Sequence, residues 1–320
     1  MSKEKCYEFL LCDCGGSATR WVIVDDGVPS EIHSLPSVVE DSEADAPMDE
    51  NIVIIGGRGV RVGKTAFSLR SVEKLSPVLD GHIGSDEYVS LIFGVLLRAG
   101  AAQVGRLLLA VPDGLIKSTR SILTQRLTGL IDLGFDRTCR VDEVFIVGQG
   151  RAGTIGIKQS TIRGKILSID AGHKTIIVTL RDGGESVSTR SRTLDIGGSK
   201  LLLEIAKLFT QSDSAQDLLA SEIFTGLSLG RRIFFKGQQI ELTQDLVNRT
   251  TWARDSINRI FEVIRTVDDI PRIYLAGGSG NYLSAGLESR APGSSVYQQE
   301  EPRFAVMRGL VRLAKLRGRK

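Results

Sequence analysis

The apolar and polar positions of the chain repeat one element, in which two apolar strands flank a short polar turn. The element occurs at residues 9–24 (FLLCDCGGSATRWVIV) and returns at residues 166–180 (ILSIDAGHKTIIVTL). Two apolar runs separated by a few turn residues predict a β-hairpin. The sequence therefore predicts two similar hairpins, one in each half of the chain.

Between the hairpins and after them, short apolar strands alternate with helical patterns. The predicted strands are 52–57, 106–111, 143–147, 185–194 and 272–276. The predicted helices are 86–99, 116–131, 243–266 and 302–320, with a further hairpin at Lys236-Gly237. This regular alternation of strands and helices indicates an α/β fold, in which helices flank a sheet that contains parallel strands. A chain of 320 residues has room for two domains.

The turn of each hairpin carries an Asp-x-Gly sequence. Asp13-Cys14-Gly15 in the first turn is matched by Asp170-Ala171-Gly172 in the second. Glycine can take positive φ and lets backbone N–H groups converge on an anion, so each turn could cradle phosphate. A carboxylate repels phosphate unless a divalent cation lies between them, so Asp13 and Asp170 imply Mg²⁺ held through water. Asp and Gly are also common in ordinary turns, but two copies favour the phosphate site.

A helix of small residues begins directly after the strand at 143–147, in the run GQGRAGTIG (148–156). Gln149 would lie in its first turn and face the space above the strand ends. An amide in such a place can orient a water molecule for attack on phosphorus. The alternative is that Gln149 only caps the helix.

Other glycine-containing turns have two interpretations each. Gly277-Gly278-Ser279 follows the last strand, where glycine permits close approach of a flat ligand such as adenosine; the alternative is a simple βα turn. Gly197-Gly198 opens another helix, and it either places amides against phosphate or ribose or merely breaks the strand. The run GVRVGKT at 59–65 fails the Walker A spacing by one residue, and we interpret it as a loop.

The amino-acid composition limits which ligands and which cellular compartment we expect for the protein. A net charge of +3 is too small to indicate nucleic acid as the main ligand, since DNA-binding domains usually carry a clustered basic face. Four cysteines without metal-ligand or framework spacing indicate the reduced thiols of an intracellular protein. The sequence shows no secretory segment and no apolar run long enough to span a bilayer, so we expect a cytoplasmic protein without direct membrane insertion.

Five motifs follow one another in an order that resembles the actin superfamily. They are DCGGSATR (13–20), GQGRAGTIG (148–156), IDAGHKT (169–175), AGGSGNYL (276–283) and EPRFAVMRGL (301–310). Within that superfamily the chain is most similar to prokaryotic actin-like proteins of the ParM/StbA plasmid-segregation type and to archaeal actins. The resemblance implies two ribonuclease-H-like (actin-like ATPase) domains with a nucleotide cleft between them. Their expected bounds are 1–157 plus 302–320 for the first domain and 158–301 for the second.

The resemblance also implies roles for particular residues. Asp13 and Asp170 match the two metal-side aspartates and, with Gln149, form the expected catalytic set. Gln149 matches the residue that positions the attacking water. Nucleotide binding is expected from three groups of residues. The first phosphate loop is Gly15, Gly16 and Ser17, with Arg20 as its cation. The second phosphate loop is Gly172, His173 and Lys174, and the adenosine motif is Gly277, Gly278 and Ser279.

Two departures from the family pattern change the expected chemistry. Ile177 stands where many relatives carry an acid or a histidine. Because its side chain cannot order water, hydrolysis is expected to be slow or to depend more heavily on Gln149. His173 and Lys174 make the second loop more cationic than usual, which would strengthen nucleotide binding.

The function that the resemblance implies is a filament-forming cytomotive protein in plasmid or DNA segregation that hydrolyses ATP on assembly. ATP and Mg²⁺ are the expected cofactors, with GTP left open. The expected partners are further copies of the chain and a DNA-bound adaptor protein. Two alternatives stay open: a sugar or acetate kinase of the same superfamily, for which the sequence offers no clear acidic base, and a nucleotide switch that does not hydrolyse.

Overall fold

A computed structural model describes residues 5–42, 51–63, 82–155, 164–183 and 185–318. The chain divides into two compact units, Met1–Ile157 with Val306–Lys320 (unit 1) and Lys158–Ala305 (unit 2). Each unit contains its own sheet and its own helices, which confirms the predicted α/β class. The last two residues of the loop predicted at 59–65 lie outside the described residues.

Unit 1 is organised around the first predicted hairpin. Its strands are Lys5–Cys14 (β1), Ala18–Asp25 (β2), Val28–Pro29 (β3), His33–Pro36 (β4), Val39–Asp41 (β5), Ile52–Ile55 (β6), Arg58–Val62 (β7), Ala101–Val111 (β8), Gly129–Gly134 (β9) and Arg137–Gly148 (β10). The main sheet has the order β3-β2-β1-β8-β10-β9, with β4 also paired to β2, while β5, β7 and β6 form a separate small sheet. β1 and β2 are antiparallel, and β1, β8 and β10 are parallel.

Helices cover both faces of the main sheet of unit 1. They are Asp86–Ala99 (α1), Ile116–Leu127 (α2) and Gln149–Ile155 (α3). Because side chains alternate along a strand, Leu10 and Cys12 of β1 point to one face, where they join the core formed with α1 and α2. Phe9 and Leu11 point to the other face and join the core that contains Ala152 of α3.

Helix α1 has the bounds that its sequence predicts. Ser85 is its N-cap and accepts a hydrogen bond from the Tyr88 N–H, and Gly100 ends the helix in the left-handed conformation with φ 62°. The helix is buried nearly all round, as its apolar interior indicates. Local capping signals therefore suffice to define this element.

Unit 2 repeats the plan around the second hairpin. Its strands are Ile166–Ala171 (β11), Ile176–Asp182 (β12), Glu185–Ser186 (β13), Arg192–Leu194 (β14), Ile233–Phe235 (β15), Gln238–Ile240 (β16), Arg272–Ala276 (β17) and Ser295–Gln298 (β18). The sheet order is β13-β12-β11-β17-β18, with β14 also paired to β12. β11 and β12 are antiparallel, whereas β11, β17 and β18 are parallel. The run β12-β11-β17-β18 thus matches β2-β1-β8-β10 of unit 1.

The helices of unit 2 lie between these strands, and one further helix returns to unit 1. The helices of unit 2 are Gly198–Lys207 (α4), Asp213–Leu229 (α5), Gln244–Asn248 (α6), Trp252–Ile264 (α7) and Ser284–Arg290 (α8). Helix Ala305–Arg317 (α9) follows a single 3-10 turn and buries Met307 and Leu310 in the core that contains Phe9 and Leu11. The predicted C-terminal helix is therefore confirmed.

Four predicted elements differ from the structure. Residues 59–62 of the loop predicted at 59–65 belong to the strand β7, because they pair with β5 and β6. The helix predicted at 116–131 ends at Leu127, because Gly129 takes φ 99° and begins β9, which pairs with β10. The strand predicted at 185–194 is interrupted by a 3-10 turn at Ser188–Arg190. The helix predicted at 243–266 is two helices, α6 and α7. The hairpin predicted at Lys236-Gly237 is present as β15 and β16.

The break between α6 and α7 has a tertiary cause. The carboxylate of Glu204 in α4 accepts hydrogen bonds from the N–H groups of Thr251 and Trp252, at 2.7 and 3.0 Å. These amides open α7 and have no partner within that helix. A side chain more than forty residues away in the sequence therefore sets where α7 begins.

Candidate functional site

The predicted site residues of unit 1 lie at the carboxyl ends of its parallel strands. Asp13 of β1 is level with Ala110 of β8, which is level with Val147 of β10. This edge of a parallel sheet is where α/β proteins bind their ligands. Gln149, which begins α3 after β10, donates a hydrogen bond from Nε2 to Asp13 Oδ1 at 2.8 Å. The structure thus joins two predicted residues that are 136 positions apart.

Asp13 is buried and has a cationic neighbour across the hairpin. Arg20 is its register partner on β2, and the Arg20 Nη1 atom lies 4.0 Å from Asp13 Oδ2. Burial raises the pKa of Asp13, whereas the Arg20 charge and the Gln149 hydrogen bond lower it. Asp13, Arg20 and Gln149 therefore form one electrostatic group.

The two hairpin turns are closed in the same way. The Gly15 N–H donates to the Ala18 carbonyl at 3.1 Å, and the Gly172 N–H donates to the Thr175 carbonyl at 2.9 Å. Neither Gly15 nor Gly172 takes the positive φ that we expected. A Cβ at these positions would lie 3.1 Å from the Ala18 oxygen and 3.3 Å from the Thr175 oxygen, so here glycine permits a close approach. Gly16 and Ser17 follow Gly15 within the first turn.

Asp113 also lies in this region, although the sequence did not predict it as a site residue. It follows Pro112 at the end of β8, and its Oδ2 accepts a hydrogen bond from the Gly150 N–H at 2.7 Å. A Cβ on Gly148 would overlap the Asp113 carboxylate, so the carboxylate lies directly on the backbone that leads into α3. In the sequence, Pro-Asp-Gly is typical of an ordinary turn. The available signal was its place after the strand that neighbours β10.

In unit 2 the structure brings Asp170 together with the predicted adenosine motif. Asp170 is level with Ala276 at the end of β17. Gly277 follows with φ +81°, and a Cβ there would overlap the Ala171 carbonyl and lie 2.5 Å from Asp170 Oδ1. The Ser279 N–H donates to the Ala171 carbonyl at 3.0 Å. Gly278, between these two residues, is exposed.

Gly197 and Gly198 hold the second hairpin turn from the other side. The Gly197 N–H donates to the Lys174 carbonyl at 3.0 Å, and the Gly198 N–H donates to the Gly172 carbonyl at 2.9 Å. A Cβ on Gly197 would overlap the backbone at His173 and Lys174. These amides therefore serve backbone packing, which is neither of the two interpretations that the sequence allowed.

His173 and Lys174 differ in their charge. The His173 ring stacks on Phe224 of α5, with ring centroids 4.3 Å apart and an interplanar angle of 29°. Burial, followed by the nearby Lys174 charge, lowers the pKa of His173 to about 3, so the imidazole is neutral at pH 7. The prediction that His173 adds positive charge to the loop is therefore wrong. Burial also lowers the pKa of Lys174, and the charge of Asp195 opposes this shift.

Ile177 occupies the place in unit 2 that Arg20 occupies in unit 1. It is the register partner of Asp170, as Arg20 is of Asp13, and it is buried. The two aspartates thus differ in their cross-strand neighbour, which is apolar in unit 2 and cationic in unit 1.

The donor chemistry of each aspartate, taken within its own unit, is of the kind that suits a hydrated magnesium ion. Among the residues that the structure describes, no three His, Cys, Asp or Glu side chains cluster as they would to hold a metal ion directly. Mg²⁺ commonly keeps several waters and uses one or two carboxylates together with substrate phosphates. Asp13 and Asp170 are carboxylates of this kind, each at the start of a glycine turn.

No helix in the described part of the chain is long and apolar enough to cross a membrane. All four cysteines are free thiols.

Solved structures similar to this chain share one fold. Ta0583, an archaeal actin homologue, in complex with ADP is 19% identical with a TM-score of 0.73, covering 97% of this chain and 99% of that chain. The actin-like protein Alp7A is 17% identical with a TM-score of 0.70, and the match covers 98% of this chain and 97% of Alp7A. ParM in a 15-stranded filament from Clostridium botulinum is 21% identical with a TM-score of 0.66, and the match covers 98% of this chain and 100% of that ParM chain. No protein-family model and no curated protein matches the chain. The structural matches confirm a two-domain actin-like fold.

Proposed function

We propose that this chain, with its actin-like fold, binds and hydrolyses ATP with Mg²⁺ and assembles into cytoplasmic filaments. The observation that carries the proposal is the duplication of one arrangement. In each unit an aspartate is the penultimate residue of a strand with a parallel neighbour, and a glycine turn follows. The turn is closed by a hydrogen bond from its first glycine to the carbonyl three residues on. The ADP complex of Ta0583 supports the nucleotide as ligand.

The proposed nucleotide contacts follow from these two turns. Residues 15–17 with Arg20 would bind phosphate from unit 1, and residues 172–174 would bind it from unit 2, with Lys174 as the cationic side chain of that turn. Gly277, Gly278 and Ser279 would receive the adenosine. Asp13 and Asp170 would hold Mg²⁺ through water. When bound, Mg²⁺ would neutralise negative charge on the phosphate oxygens.

Gln149 is the proposed water-positioning residue. Its Nε2 donates a hydrogen bond to Asp13 Oδ1, which fixes the plane of the amide. The amide oxygen of Gln149 would then accept a hydrogen bond from a water molecule. A water held in this way can be directed at phosphorus. Asp13 therefore acts on both the metal and the orientation of Gln149.

Self-association is the proposed output of nucleotide binding. A ParM of this fold forms a 15-stranded filament, which supports filament formation by this chain. The resemblance to ParM supports plasmid or other DNA as the cargo, reached through a DNA-bound adaptor protein. The four free thiols are in keeping with the proposed cytoplasmic location.

A nucleotide switch without hydrolysis is the second candidate. The observation that favours it is Ile177, because a buried isoleucine beside Asp170 cannot order water where many relatives of the resembled family carry an acid or histidine. Bound ATP would then control assembly, and release of the nucleotide would end it.

The test is to incubate purified protein with Mg²⁺ and ATP, GTP, ADP or no nucleotide, and to measure filaments by electron microscopy and phosphate release in the same samples. The proposal expects filaments with a triphosphate and phosphate release that follows assembly. Filaments without phosphate release would favour the switch. Turnover that appears only with a sugar or carboxylate acceptor would indicate a kinase. Absence of nucleotide binding would refute all three.

A further inference from the structure

The junction between β10 and α3 is held by a carboxylate from the neighbouring strand. Asp113 lies just beyond β8, which ends at Val111. Its Oδ2 accepts the Gly150 N–H at 2.7 Å, and the same carboxylate lies against Gly148 so closely that no Cβ would fit there. Gln149 is the residue between these two backbone contacts. Its backbone position is therefore set by Asp113 on both sides.

Helix α3 is fixed along its body by α9. A Cβ on Gly309 would overlap the Ala152 carbonyl, so the backbones of the two helices are in direct contact. α3 contains seven residues, which is too short for a helix to be stable by itself. Its placement therefore depends on tertiary contacts, and Asp113 supplies the one to the backbone N–H of Gly150 in its first turn.

The Gln149 side chain requires accurate placement. Its Nε2 must reach Asp13 Oδ1, which is 2.8 Å away, while both side chains are buried. A displacement of about 1 Å at a reacting group can cost on the order of 100-fold in rate. We propose that Asp113 is a positioning residue, which holds the β10–α3 junction so that the Gln149 amide rests on Asp13. The inference rests on the proposed role of Gln149 in hydrolysis.

The first test compares substitutions of Asp113 in the full chain, with Mg²⁺ and ATP. Asp113→Ala removes the acceptor of the Gly150 N–H, and we expect kcat to fall about 10-fold while the KM for ATP changes less than about 2-fold. Asp113→Asn keeps an acceptor oxygen, and we expect kcat within about 3-fold of the wild type. Asp142→Ala is the matched control, because Asp142 lies on β10 but pairs with Gln103 and Arg140. We expect wild-type kinetics for it.

The second test is a double-mutant cycle with Gln149→Ala. If Asp113 acts through Gln149, the double variant has the same kcat as Gln149→Ala alone. A merely structural role would instead make the two losses multiply, and that result would overturn the inference. Wild-type kcat in Asp113→Ala would overturn it as well. If Asp113→Ala does not fold by circular dichroism, the same cycle is run with Asp113→Ser, whose hydroxyl is too short to make the same contact.

The failure of the inference and the failure of the proposed function give different results. If Gln149→Ala is slow and Asp113→Ala is not, only the role of Asp113 is refuted. If the wild type hydrolyses ATP no faster than Gln149→Ala, the proposed role of Gln149 fails, and the inference fails with it. Nucleotide binding is measured separately, with a fluorescent ATP analogue, so that a loss of binding is not counted as a loss of catalysis.

Discussion

Gly277 has the most constrained backbone of the candidate site residues in unit 2. It takes φ +81°, and a Cβ there would overlap the Ala171 carbonyl and the Asp170 side chain. Gly278 is its neighbour in the chain, but a Cβ there would meet nothing within 4 Å. The two positions separate the effect of a methyl group in a crowded, left-handed position from its effect in open space.

We expect Gly277→Ala to lower the free energy of unfolding of unit 2 by about 3 kcal/mol, from left-handed strain together with overpacking. Gly278→Ala is the control, and its expected loss is below about 1 kcal/mol. Urea unfolding monitored by circular dichroism measures both. Equal losses for the two variants would show that the contact with Ala171 and Asp170 is not what requires glycine at position 277.

His173 links the second hairpin turn to α5 and adds a pH dependence to stability. Its pKa is about 3 in the folded chain and about 6.5 when exposed. Between these values the unfolded chain binds a proton that the folded chain does not. The stability that His173 contributes is therefore fully present above pH 6.5, and it is lost as the pH falls towards 3.

His173→Phe keeps an aromatic ring against Phe224 and removes the titration. Between pH 7 and pH 5 we expect the unfolding free energy of the wild type to fall by about 2 kcal/mol more than that of His173→Phe. Urea unfolding at pH 7, 6 and 5 gives the two profiles. Parallel profiles would mean that the imidazole is protonated as easily in the folded chain as in the unfolded chain.

For individual residues, the sequence predicted the chemistry of the site better than its contacts. Asp13 and Gln149 were each placed at a strand end by local pattern, but their hydrogen bond depends on the parallel pairing of β1, β8 and β10. The neutrality of His173 depends on burial against Phe224, which no local pattern encodes. Asp113 was missed because its partner, the Gly150 N–H, lies on a different element.

Among the elements, α3 and α9 meet at a glycine. Ala normally stabilises a helix interior by about 1 kcal/mol relative to Gly. At Gly309 a Cβ would overlap the Ala152 carbonyl, so the helices would have to separate. At Gly153, which also lies in a helix of unit 1, a Cβ would meet nothing within 4 Å. Of these two glycines, Gly309 is therefore the one at which the intrinsic helix preference and the packing oppose each other.

We expect Gly309→Ala to destabilise unit 1 by about 3 kcal/mol, because the cost of overpacking exceeds the gain in helix propensity. Gly153→Ala is the matched control and should be neutral or more stable by up to about 1 kcal/mol. Thermal unfolding of both variants distinguishes the two effects. A Gly309→Ala variant as stable as the wild type would mean that α9 does not need to contact α3 closely.

The ends of helices and strands could be predicted where the residues that determine them are neighbours in the sequence. Ser85 and Gly100 delimit α1, and both are visible in the sequence. The start of α7 could not be predicted, because its first amides are bound by Glu204 of α4. The turn at 188–190 is equally non-local, since Arg190 donates hydrogen bonds to the carbonyls of Ile264 and Thr266.

The two units share one strand order, of which the duplicated hairpins in the sequence predicted the first two strands. The order of five motifs led to the actin-like fold that the structural matches confirm. The chain also offers a separate optical probe for each unit, because it has two tryptophans. Trp21 is buried in unit 1, and Trp252 is buried in unit 2. Trp21→Phe and Trp252→Phe variants therefore each report the unfolding of one unit.

If both turns bind one nucleotide, as proposed, ATP with Mg²⁺ should stabilise both units together. A ligand at 100 times its Kd stabilises the state that binds it by about 2.7 kcal/mol. We therefore expect the unfolding transitions followed by Trp21 and by Trp252 fluorescence to shift together to higher stability when ATP is bound. Without ATP the two transitions should separate, because each unit has its own core. Asp170→Ala, although it lies in unit 2, should reduce the shift reported by Trp21 as well. A shift confined to the Trp21 transition would mean that unit 1 binds the nucleotide alone, since ligand binding stabilises only the cooperative unit that makes the contacts.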